Sequence, residues 1–398
     1  MNVPKLRFKE FNDEWQNYKV EDILKISNGI NKEKEFFGSG TPIINYMDVN
    51  KNELISHNIV KGLVIANSKE LETFNVKKGD ILFTRTSETS DEIGLSSSVI
   101  ENIDKCIFSG FILKGTQTKQ FIHPYFGGYY FRNPKMRKEI IKHSSITTRA
   151  LTSGSLLSQM SISIPTIIEQ EKIGKTLSLL DKKIELQTKK IEDLKLFKKG
   201  LLIKEFNNKK CSNKLKECFD FGKAGGTPKS TNKDYYNGYI PFLSISDMTT
   251  QGKYIYYTDK SITEAGLNNS TAWLVPKNSI IISMYASYGL VSINKIDLTT
   301  SQAMFNMVIN KNYVVEYIYY YLYYLYISNF YNSIVSTGTQ SNLNAGQIKL
   351  LDIYIPCYNE QKRIYEQFSK IDFKINLEQK KINELLYLKK GLMQNMFV

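Results

Sequence analysis

The chain has 398 residues, of which 42% are hydrophobic and 23% charged, a balance typical of a globular protein and too apolar for a disordered chain. Lys and Arg number 53 against 39 Asp and Glu, a formal net charge of +14, which either favours a polyanionic partner such as nucleic acid or serves solubility. The longest apolar run, 317–327, has 11 residues, too few for the roughly 20 that span a bilayer.

The first residues, MNVPKLRFKEF, contain no apolar signal region, so we expect no secretion. The cysteines lie at 106, 211, 218 and 357 with no CxxC spacing and no histidine companions. This pattern predicts reduced thiols, without zinc ligands, any other metal site or disulfides. We therefore expect a cytoplasmic protein.

The segment up to about residue 165 mixes strand and helix signals. A hydrophobic run, 81–83, predicts a strand, and Thr84 to Ser87 directly follow it. Further on, the charged pattern around 136–139 predicts a helix within 125–142. This first globular segment is therefore predicted to be α+β.

A long helix is predicted next, from about residue 169 to residue 206, because this stretch contains no Pro and its apolar residues are spaced alternately by four and three. At 1.5 Å per residue a helix of about 38 residues would measure roughly 57 Å. Its stripe is that of a coiled-coil seam and cannot be buried by one helix alone. The seam residues are Ile173, Leu177, Leu180, Ile184, Ile191, Leu194 and Leu201.

A second α+β segment follows, and parts of it match the first. Residues 275–282 match 76–83 at an offset of 199, and Ile280 to Ile282 predict a strand. The Tyr-rich stretch 317–326 has strand propensity, but its counterpart at 125–142 favours a helix in both copies. A buried amphipathic helix is favoured here over a base-stacking surface.

The second half of the chain ends by repeating the first long helix. Residues 353–397 align with 162–206 without gaps at an offset of 191, and 20 of the 45 positions are identical. We predict that the two helices pack as an antiparallel coiled coil centred near residues 192 and 383, which would place Lys198 opposite Glu378. The second seam comprises Ile364, Phe368, Ile371, Ile375, Ile382, Leu385 and Leu392.

The repeat also predicts a nearly circular arrangement. Residues 9–12, Lys-Glu-Phe-Asn, recur at 204–207, so the chain start should lie near the end of the second helix. We predict a pseudo-twofold protein with a first head and N-terminal arm (1–165), a first helix (166–207), a second head (208–356) and a second helix (357–398).

Several motifs resemble the specificity subunit of a type I restriction-modification enzyme, and the resemblance covers essentially the whole chain. They are Leu-Arg-Phe at 6–8 with Trp15, Gly-Gly-Thr-Pro at 225–228, Tyr-Tyr-Asn-Gly at 235–238, and Gly-Thr-Gln at 338–340. Each Ile-Pro and Glu-Gln opening of a long helix belongs to the same pattern. The first head departs from it, because Ser-Asn-Gly at 27–29 stands where Gly-Gly-Thr-Pro is expected.

The resemblance implies that the heads are two target recognition domains, each reading half of a split double-stranded DNA sequence. The divergence of the heads predicts an asymmetric site. The helices would set the gap and dock two modification subunits, which bind S-adenosylmethionine and methylate adenine. Motor-nuclease subunits would add ATP- and Mg-dependent cleavage. The chain itself would hold no cofactor and catalyse no reaction.

The sequence offers no catalytic motif to oppose that implication. Neither an Asn-Pro-Pro-aromatic motif nor a Gly-x-Gly-x-x-Gly loop is present. Two alternatives stay open: a fused restriction or methylation enzyme, and a coiled-coil adaptor whose heads bind protein. DNA binding that weakens with salt would separate the adaptor from the reader.

Polar and cationic loop residues are the predicted DNA contacts, since base edges and phosphates are read by long polar side chains. Arg85 is the leading candidate for a guanine or phosphate contact, and the lysines around Gly-Gly-Thr-Pro are candidates for phosphates. The predicted set is Thr84, Arg85, Thr86, Ser87, Thr147, Thr148, Arg149, Lys223, Gly225, Gly226, Thr227, Lys229, Lys233, Tyr235, Tyr285, Ser287, Tyr288, Thr337, Thr339, Gln340 and Ser341.

Overall fold

A computed structural model describes residues 3–146, 149–207, 209–211, 213–285, 287–335 and 342–398. The chain forms two compact units. We call Met1–Thr188 with Lys380–Val398 the first unit, and Lys189–Gln379 the second unit. Each unit thus contains one head and one half of each long helix. No helix in these described ranges is long and apolar enough to cross a membrane.

The first unit is built from short strands and helices. Its strands are β1 (Gln16–Lys19), β2 (Leu24–Asn28), β3 (Phe37–Ile44), β4 (Leu54–Ile55), β5 (Gly62–Val64), β6 (Ile81–Thr84), β7 (Thr86–Ser87), β8 (Ser96–Val99), β9 (Ile107–Phe108), β10 (Ile112–Gln117), β11 (Ser145–Ile146), β12 (Ala150–Leu151) and β13 (Ser161–Ile164). Its short helices are α1 (Val20–Ile23), α2 (Tyr46–Lys51), α3 (Ser68–Thr73), α4 (Pro124–Tyr130), α5 (Pro134–Lys142) and α6 (Gly154–Ser158).

The long helices α7 (Ile167–Phe206) and α12 (Tyr358–Asn395) each contribute to both units. The strands of the second unit are β14 (Asn213–Lys214), β15 (Phe219–Ala224), β16 (Tyr236–Leu243), β17 (Tyr254–Ile255), β18 (Lys260–Ile262), β19 (Ile280–Ser283), β20 (Val291–Asn294), β21 (Thr299–Thr300), β22 (Met304–Ile309) and β23 (Asp352–Ile353). Its short helices are α8 (Ile245–Gln251), α9 (Glu264–Asn268), α10 (Val315–Ile327) and α11 (Ala345–Lys349).

The two heads share one sheet topology. The main sheet of the first has the order β2-β10-β6-β8-β4, and that of the second has the order β15-β22-β19-β20-β17. In both, the last strand pairs in parallel while the remaining pairs are antiparallel. A second, three-stranded sheet recurs as β5-β3-β9 and β18-β16-β21. The predicted α+β class and the repeated architecture are confirmed.

The long helices form the predicted antiparallel coiled coil. In the second unit, Lys190 of α7 contacts Glu378 of α12, and Lys198 contacts Asp372. Residue numbers therefore increase along α7 in the direction in which they decrease along α12. In the first unit, Asp181 of α7 contacts Lys389 of α12. Every predicted seam residue of both helices is buried or half-buried, as an apolar seam requires.

The predicted facing of Lys198 and Glu378 is wrong. The Lys198 Nζ lies 2.5 Å from Asp372 Oδ1, whereas Glu378 accepts Lys190 at 2.7 Å. The partner of Lys198 is displaced from residue 378 to residue 372, and that of Glu378 from residue 198 to residue 190. At 3.6 residues per turn the true register therefore differs from the predicted one by about two turns. Seam spacing alone leaves this choice open, because apolar residues recur with nearly the same period.

The N-terminal arm packs on the end of the second helix, which confirms the predicted proximity of the two. The Leu6 backbone N–H donates to the Asn395 carbonyl at 2.8 Å. The Arg7 guanidinium donates two hydrogen bonds of 2.8 Å each to the carboxylate of buried Glu169. This bidentate geometry is stronger than a single charged contact. Phe397 is buried against Phe126.

The Tyr-rich segment is a helix, as predicted, and most of it is interior. In α10, Tyr317 and Tyr319 to Tyr321 are buried and pack with Phe206 of α7 and Phe368 of α12. Aromatic edge-to-face and tilted pairs, such as Phe206 with Tyr321 and Tyr320 with Phe368, fill this core. Each head is thereby packed on the helix halves of its own unit.

Candidate nucleic-acid interface

The first head brings two of its predicted loops together. β7 pairs with β12 and β12 with β11, so Thr86 lies opposite Leu151 in a small sheet. The Thr152 N–H also donates to the Arg85 carbonyl at 3.0 Å. The segment after strand β6 and the segment around residue 149 therefore form one surface, although 61 residues (88–148) separate Ser87 from Arg149.

Burial divides the predicted contacts of this surface. Thr84 and Ser87 are buried, and the Thr84 hydroxyl donates to the Glu92 carbonyl and accepts from Leu95 N–H. Arg85 is half-buried, and among the described residues its guanidinium has no hydrogen-bond or ion-pair partner. Thr86 is half-buried and Arg149 exposed, whereas Thr147 and Thr148 lie outside the described residues.

A half-buried arginine holds the loop that follows this segment. Arg137 of α5 donates to the carbonyls of Asp91 and Ile93 at 3.0 and 2.5 Å. Burial lowers the pKa of Arg137 to about 10, so the group stays charged at neutral pH. Its charge-assisted bonds fix the loop backbone next to the predicted recognition segment.

The second head arranges its matching segments in the same way. The Met284 N–H donates to the Ala303 carbonyl at 2.8 Å, and the Met284 carbonyl accepts from Leu343 N–H at 2.9 Å. The Thr227 hydroxyl donates to the neighbouring Gln302 side chain. The Gly-Gly-Thr-Pro segment, the loop after β19 and the chain leading from residue 342 therefore converge.

The loop after β19 is shorter than its counterpart in the first head, because residues 284–290 separate β19 from β20 whereas residues 85–95 separate β6 from β8. Ser287 and Gly289 have φ values of 58° and 84°, in the left-handed region that favours glycine. A side chain at Gly289 would come within 2.3 Å of the Tyr331 ring. Tyr285 and Ser287 are exposed, while the Tyr288 hydroxyl donates to Asn332 at 2.9 Å.

The Gly-Gly-Thr-Pro segment separates into interior and surface residues. A Cβ at Gly225 or Gly226 would lie 2.2–2.3 Å from Thr300 and Ala272, so close packing explains both buried glycines. The predicted contacts Lys223, Thr227, Lys229 and Lys233 are exposed, and Tyr235 is half-buried. Thr337, Thr339, Gln340 and Ser341 lie outside the described residues.

Two exposed residues beside these segments were missed from sequence. Phe111 is 62% exposed, and its carbonyl accepts from Arg85 N–H. The exposed Gln302 side chain accepts a hydrogen bond from the Thr227 hydroxyl of the Gly-Gly-Thr-Pro segment. Phe111 directly precedes the strand-like run 112–117, so its sequence context indicates a core residue. Only the turn signal of Gly110 indicates that Phe111 lies outside the sheet.

A partly buried cluster joins helix and head in the first unit. The Tyr129 hydroxyl donates to Asp181 Oδ2 at 2.7 Å, and Lys389 lies 2.6 Å from Asp181 Oδ1 and 2.9 Å from Glu53. Burial favours the neutral lysine, but attraction to Glu53 and Asp181 outweighs it and raises the pKa of Lys389. Arg132, also buried here, adds attraction for Glu53.

The same cluster recurs in the second unit with one reversal. The Tyr320 hydroxyl donates to Asp372 Oδ2 at 2.6 Å, and Lys198 contacts Asp372 Oδ1. Lys253 lies 3.7 Å from Asp372 Oδ2, where the first unit has the acidic residue Glu53. Burial outweighs the attraction of Asp372 and lowers the pKa of Lys253 to about 8. Identical Asp, Lys and Tyr at an offset of 191 were the sequence signal for this cluster.

The Glu-Gln opening of each long helix also has a structural role. Gln170 accepts from His123 N–H at 2.8 Å and donates to the Pro165 carbonyl at 2.9 Å. Gln361 makes the corresponding bonds with Val314 N–H and the Pro356 carbonyl. Each glutamine thus ties the start of its long helix to the chain entering α4 or α10.

Comparison with known proteins agrees with this repeated architecture. The family model of the type I restriction modification DNA specificity domain matches residues 12–196 and again 208–387. The putative type I restriction enzyme MjaX specificity subunit of Methanocaldococcus jannaschii is 25% identical over 98% of this chain and 95% of its own length. The MjaIX specificity subunit of the same organism is 31% identical, but the match spans 43% of this chain and only 40% of that relative.

Solved structures show the same fold. The S subunit of a type I restriction-modification system from M. genitalium superposes with a TM-score of 0.59 at 17% identity, covering 100% of this chain and 99% of that one. A chain from a type I R-M system, solved to explain complex assembly and conformational transition, gives a TM-score of 0.61 at 15% identity, covering 96% and 97%. With two copies of the specificity domain spanning most of its length, the chain belongs to the family of type I restriction-modification specificity subunits.

Proposed function

We propose that this chain binds double-stranded DNA and reads a split, asymmetric sequence, with one half-site for each head. The observation that carries the proposal is one fold presenting two different loop sets. Arg85 follows β6 in the first head, whereas Tyr285, Ser287 and Tyr288 follow the equivalent strand β19. Equivalent loops with different side chains are what two different half-sites require.

The net charge of +14 supports DNA as the partner, because phosphate neutralisation supplies much of the affinity of DNA-binding proteins. Arg85, Arg149 and the lysines at 223, 229 and 233 are the proposed cationic contacts. We assign the chain no catalytic step. Methyl transfer with S-adenosylmethionine, and ATP- and Mg-dependent cleavage, belong in this proposal to partner subunits.

The helices are proposed to set the gap between half-sites and to dock two modification subunits. Each unit exposes large apolar side chains on its helix halves, and three pairs recur at an offset of 191. Exposed apolar patches of this kind mark protein interfaces. The pairs are Leu186 with Leu377, Leu196 with Tyr387, and Phe197 with Leu388.

The test of DNA reading is co-expression with the cognate modification subunit in a methylation-free bacterium, followed by long-read mapping of N6-methyladenine. The expected result is one motif with two short, different half-sites around a fixed gap. A continuous motif, or DNA left unmethylated by the assembled complex, would contradict the proposal. Binding of the complex to DNA should also weaken steeply with salt, whereas a protein-binding adaptor would be indifferent.

Reciprocal variants assign the half-sites. Arg85→Ala should relax one half-site and leave the other intact, and Tyr285→Ala should do the reverse. Loss of a specific base contact costs about 1–3 kcal/mol of discrimination. Motif degeneracy at each position is the readout, and each variant serves as the control for the other. Uniform loss of methylation without a change in motif would mean that the residue contacts phosphate or supports folding.

The docking surface is tested separately. The double variant Leu196→Ser, Phe197→Ser removes two exposed apolar side chains of the second unit and should reduce co-purification with the modification subunit by about tenfold or more. Glu192→Ser, also exposed on α7, is the matched control and should retain the partner. Equal retention by both variants would place docking elsewhere.

A further inference from the structure

A groove of about 920 Å³ lies within the second unit, between the helix halves and the second head. Its volume is in the range of ligand-binding clefts. Lys195, Lys198 and Lys199 of α7 line one side, and Tyr319 and Tyr323 of α10 line another. The two tyrosine rings stack with their centroids 5.9 Å apart. At one end the groove reaches Ser287, in the loop after β19.

The charges that line this groove do not balance. Four lysines line it, the fourth being Lys253, and among the described lining residues they meet one carboxylate, Asp372. Both oxygens of that carboxylate are engaged, Oδ1 by Lys198 and Oδ2 by the Tyr320 hydroxyl and by Lys253. The lining therefore has an excess of three positive charges, and clefts with one sign of charge concentrate ions of the other sign.

Lys253 is the more weakly paired of the two lysines on Asp372, because its Nζ lies 3.7 Å from Oδ2 whereas that of Lys198 lies 2.5 Å from Oδ1. Its Nζ sits over the Tyr320 and Tyr254 rings at 4.2 and 4.8 Å from their centroids, which stabilises the cation partly. Of the other charged neighbours, Lys198 and Lys295 repel it, whereas Glu316, which also contacts Lys295 at 3.7 Å, attracts it. The net effect of burial and these neighbours is the lowered pKa already described. A second anion beside Lys253 would raise the pKa of this lysine again.

The first unit shows that the fold does not require this excess. Glu53 occupies the position of Lys253: its carbonyl accepts from Ser98 N–H on β8, as that of Lys253 accepts from Ile293 N–H on β20. There, Glu53 pairs with Lys389. The same junction is thus neutralised from within in one unit and left cationic in the other.

From this contrast we propose that the groove of the second unit binds a phosphate group, held by Lys253 and Lys198 with Lys195 and Lys199 at its rim. Lysine ammonium groups bind phosphate as point charges, and tyrosine hydroxyls add donors. The phosphate comes either from a DNA backbone or from a free phosphate compound. The site goes beyond the proposed function, because neither base reading nor docking of a subunit requires it.

The test is titration of the full chain with inorganic phosphate, followed by phosphorus-31 line width and calorimetry. Wild type should bind phosphate saturably. Lys253→Glu copies the first unit and should weaken binding by about tenfold or more, equivalent to about 1.4 kcal/mol or more. Lys199→Ala alters an exposed side chain at the rim of the groove and should weaken binding several-fold. Lys362→Ala, exposed on α12 outside the groove, should bind like wild type.

Absence of saturable binding would overturn the proposal, as would binding that all three variants leave unchanged. A competition arm identifies the source of the phosphate. If a DNA duplex displaces bound phosphate from wild type, the groove holds a backbone phosphodiester. If phosphate stays bound while DNA binds, the groove serves a free phosphate compound. Failure of DNA reading would not affect the titration, so the two proposals fail separately.

Discussion

The helix–head junctions of the two units share three residues and differ in a fourth. Asp181, Lys389 and Tyr129 in the first unit correspond to Asp372, Lys198 and Tyr320 in the second. The fourth position is Glu53 in one unit and Lys253 in the other. A repeated fold thus keeps the contacts that join helix to head, while a single charge reversal gives each junction different electrostatics.

Removing the shared aspartate should produce the largest difference in stability between the two units. Asp372→Asn leaves Lys198 and Lys253 without a carboxylate and should destabilise the second unit by about 3 kcal/mol, since breaking a buried ion pair strands its partner. Asp181→Asn leaves Lys389 paired with Glu53 and should cost about 1 kcal/mol. Native-state hydrogen exchange measures each unit, with the unaltered unit as internal control. Equal losses would show that the fourth residue does not matter.

The pH dependence of stability should also differ between Lys253 in the second unit and Glu53 in the first. Lys253 titrates near 8 in the folded chain against an ordinary value of 10.5, so the folded state binds fewer protons between these values and stability rises with pH. The unfolding free energy of wild type relative to Lys253→Met should therefore increase by about 2 kcal/mol between about pH 7 and 9.5.

The matched control is Glu53→Gln. The pKa of Glu53 is below its ordinary value, so its contribution is fully present well before pH 7. The wild-type difference from Glu53→Gln should stay flat over the same range. Hydrogen exchange of the affected unit gives both curves. A flat curve for Lys253→Met would show that burial does not penalise this ammonium.

The smallest effect tests what the junctions share. Tyr129→Phe and Tyr320→Phe each remove one hydroxyl that donates to a carboxylate, and loss of that bond should cost about 1 kcal/mol in each. The Tyr320 hydroxyl also accepts from Lys253 Nζ at 2.8 Å, so Tyr320→Phe should cost about 0.5 kcal/mol more than Tyr129→Phe. Exchange of the α4 and α10 amides reports both losses. Equal losses would show that the bond from Lys253 does not contribute to stability.

Much of the architecture was predictable from sequence. The repeat at an offset of 191, the seam residues and the strand at Ile280 to Ile282 are local patterns, and the structure follows them. The partner of Lys198 was not predictable, because two registers about two turns, or one heptad, apart bury almost the same seam. The opposition of Glu53 and Lys253 was also hidden, since the first lies 336 residues from its partner Lys389 and only the folded sheet brings them together.

The candidate interface was predictable to a smaller extent. Turn and strand signals located the segments at 84–87 and 285–288, but they did not show that Thr84 and the two glycines at 225 and 226 point into the protein. Burial of a polar or small residue depends on neighbouring chain segments. Phe111 was missed for the same reason, because an aromatic residue beside a strand is ordinarily interior.

The composition of the two units bears on how heads can be exchanged between relatives. The first unit consists of Met1–Thr188 together with Lys380–Val398, so its module is discontinuous in the gene. A chimera that transfers only the leading segment would set a foreign head against the resident Lys389 and Phe397. Transfer of the trailing 19 residues with it keeps each junction with its native partners, and the natural crossover points lie inside the long helices.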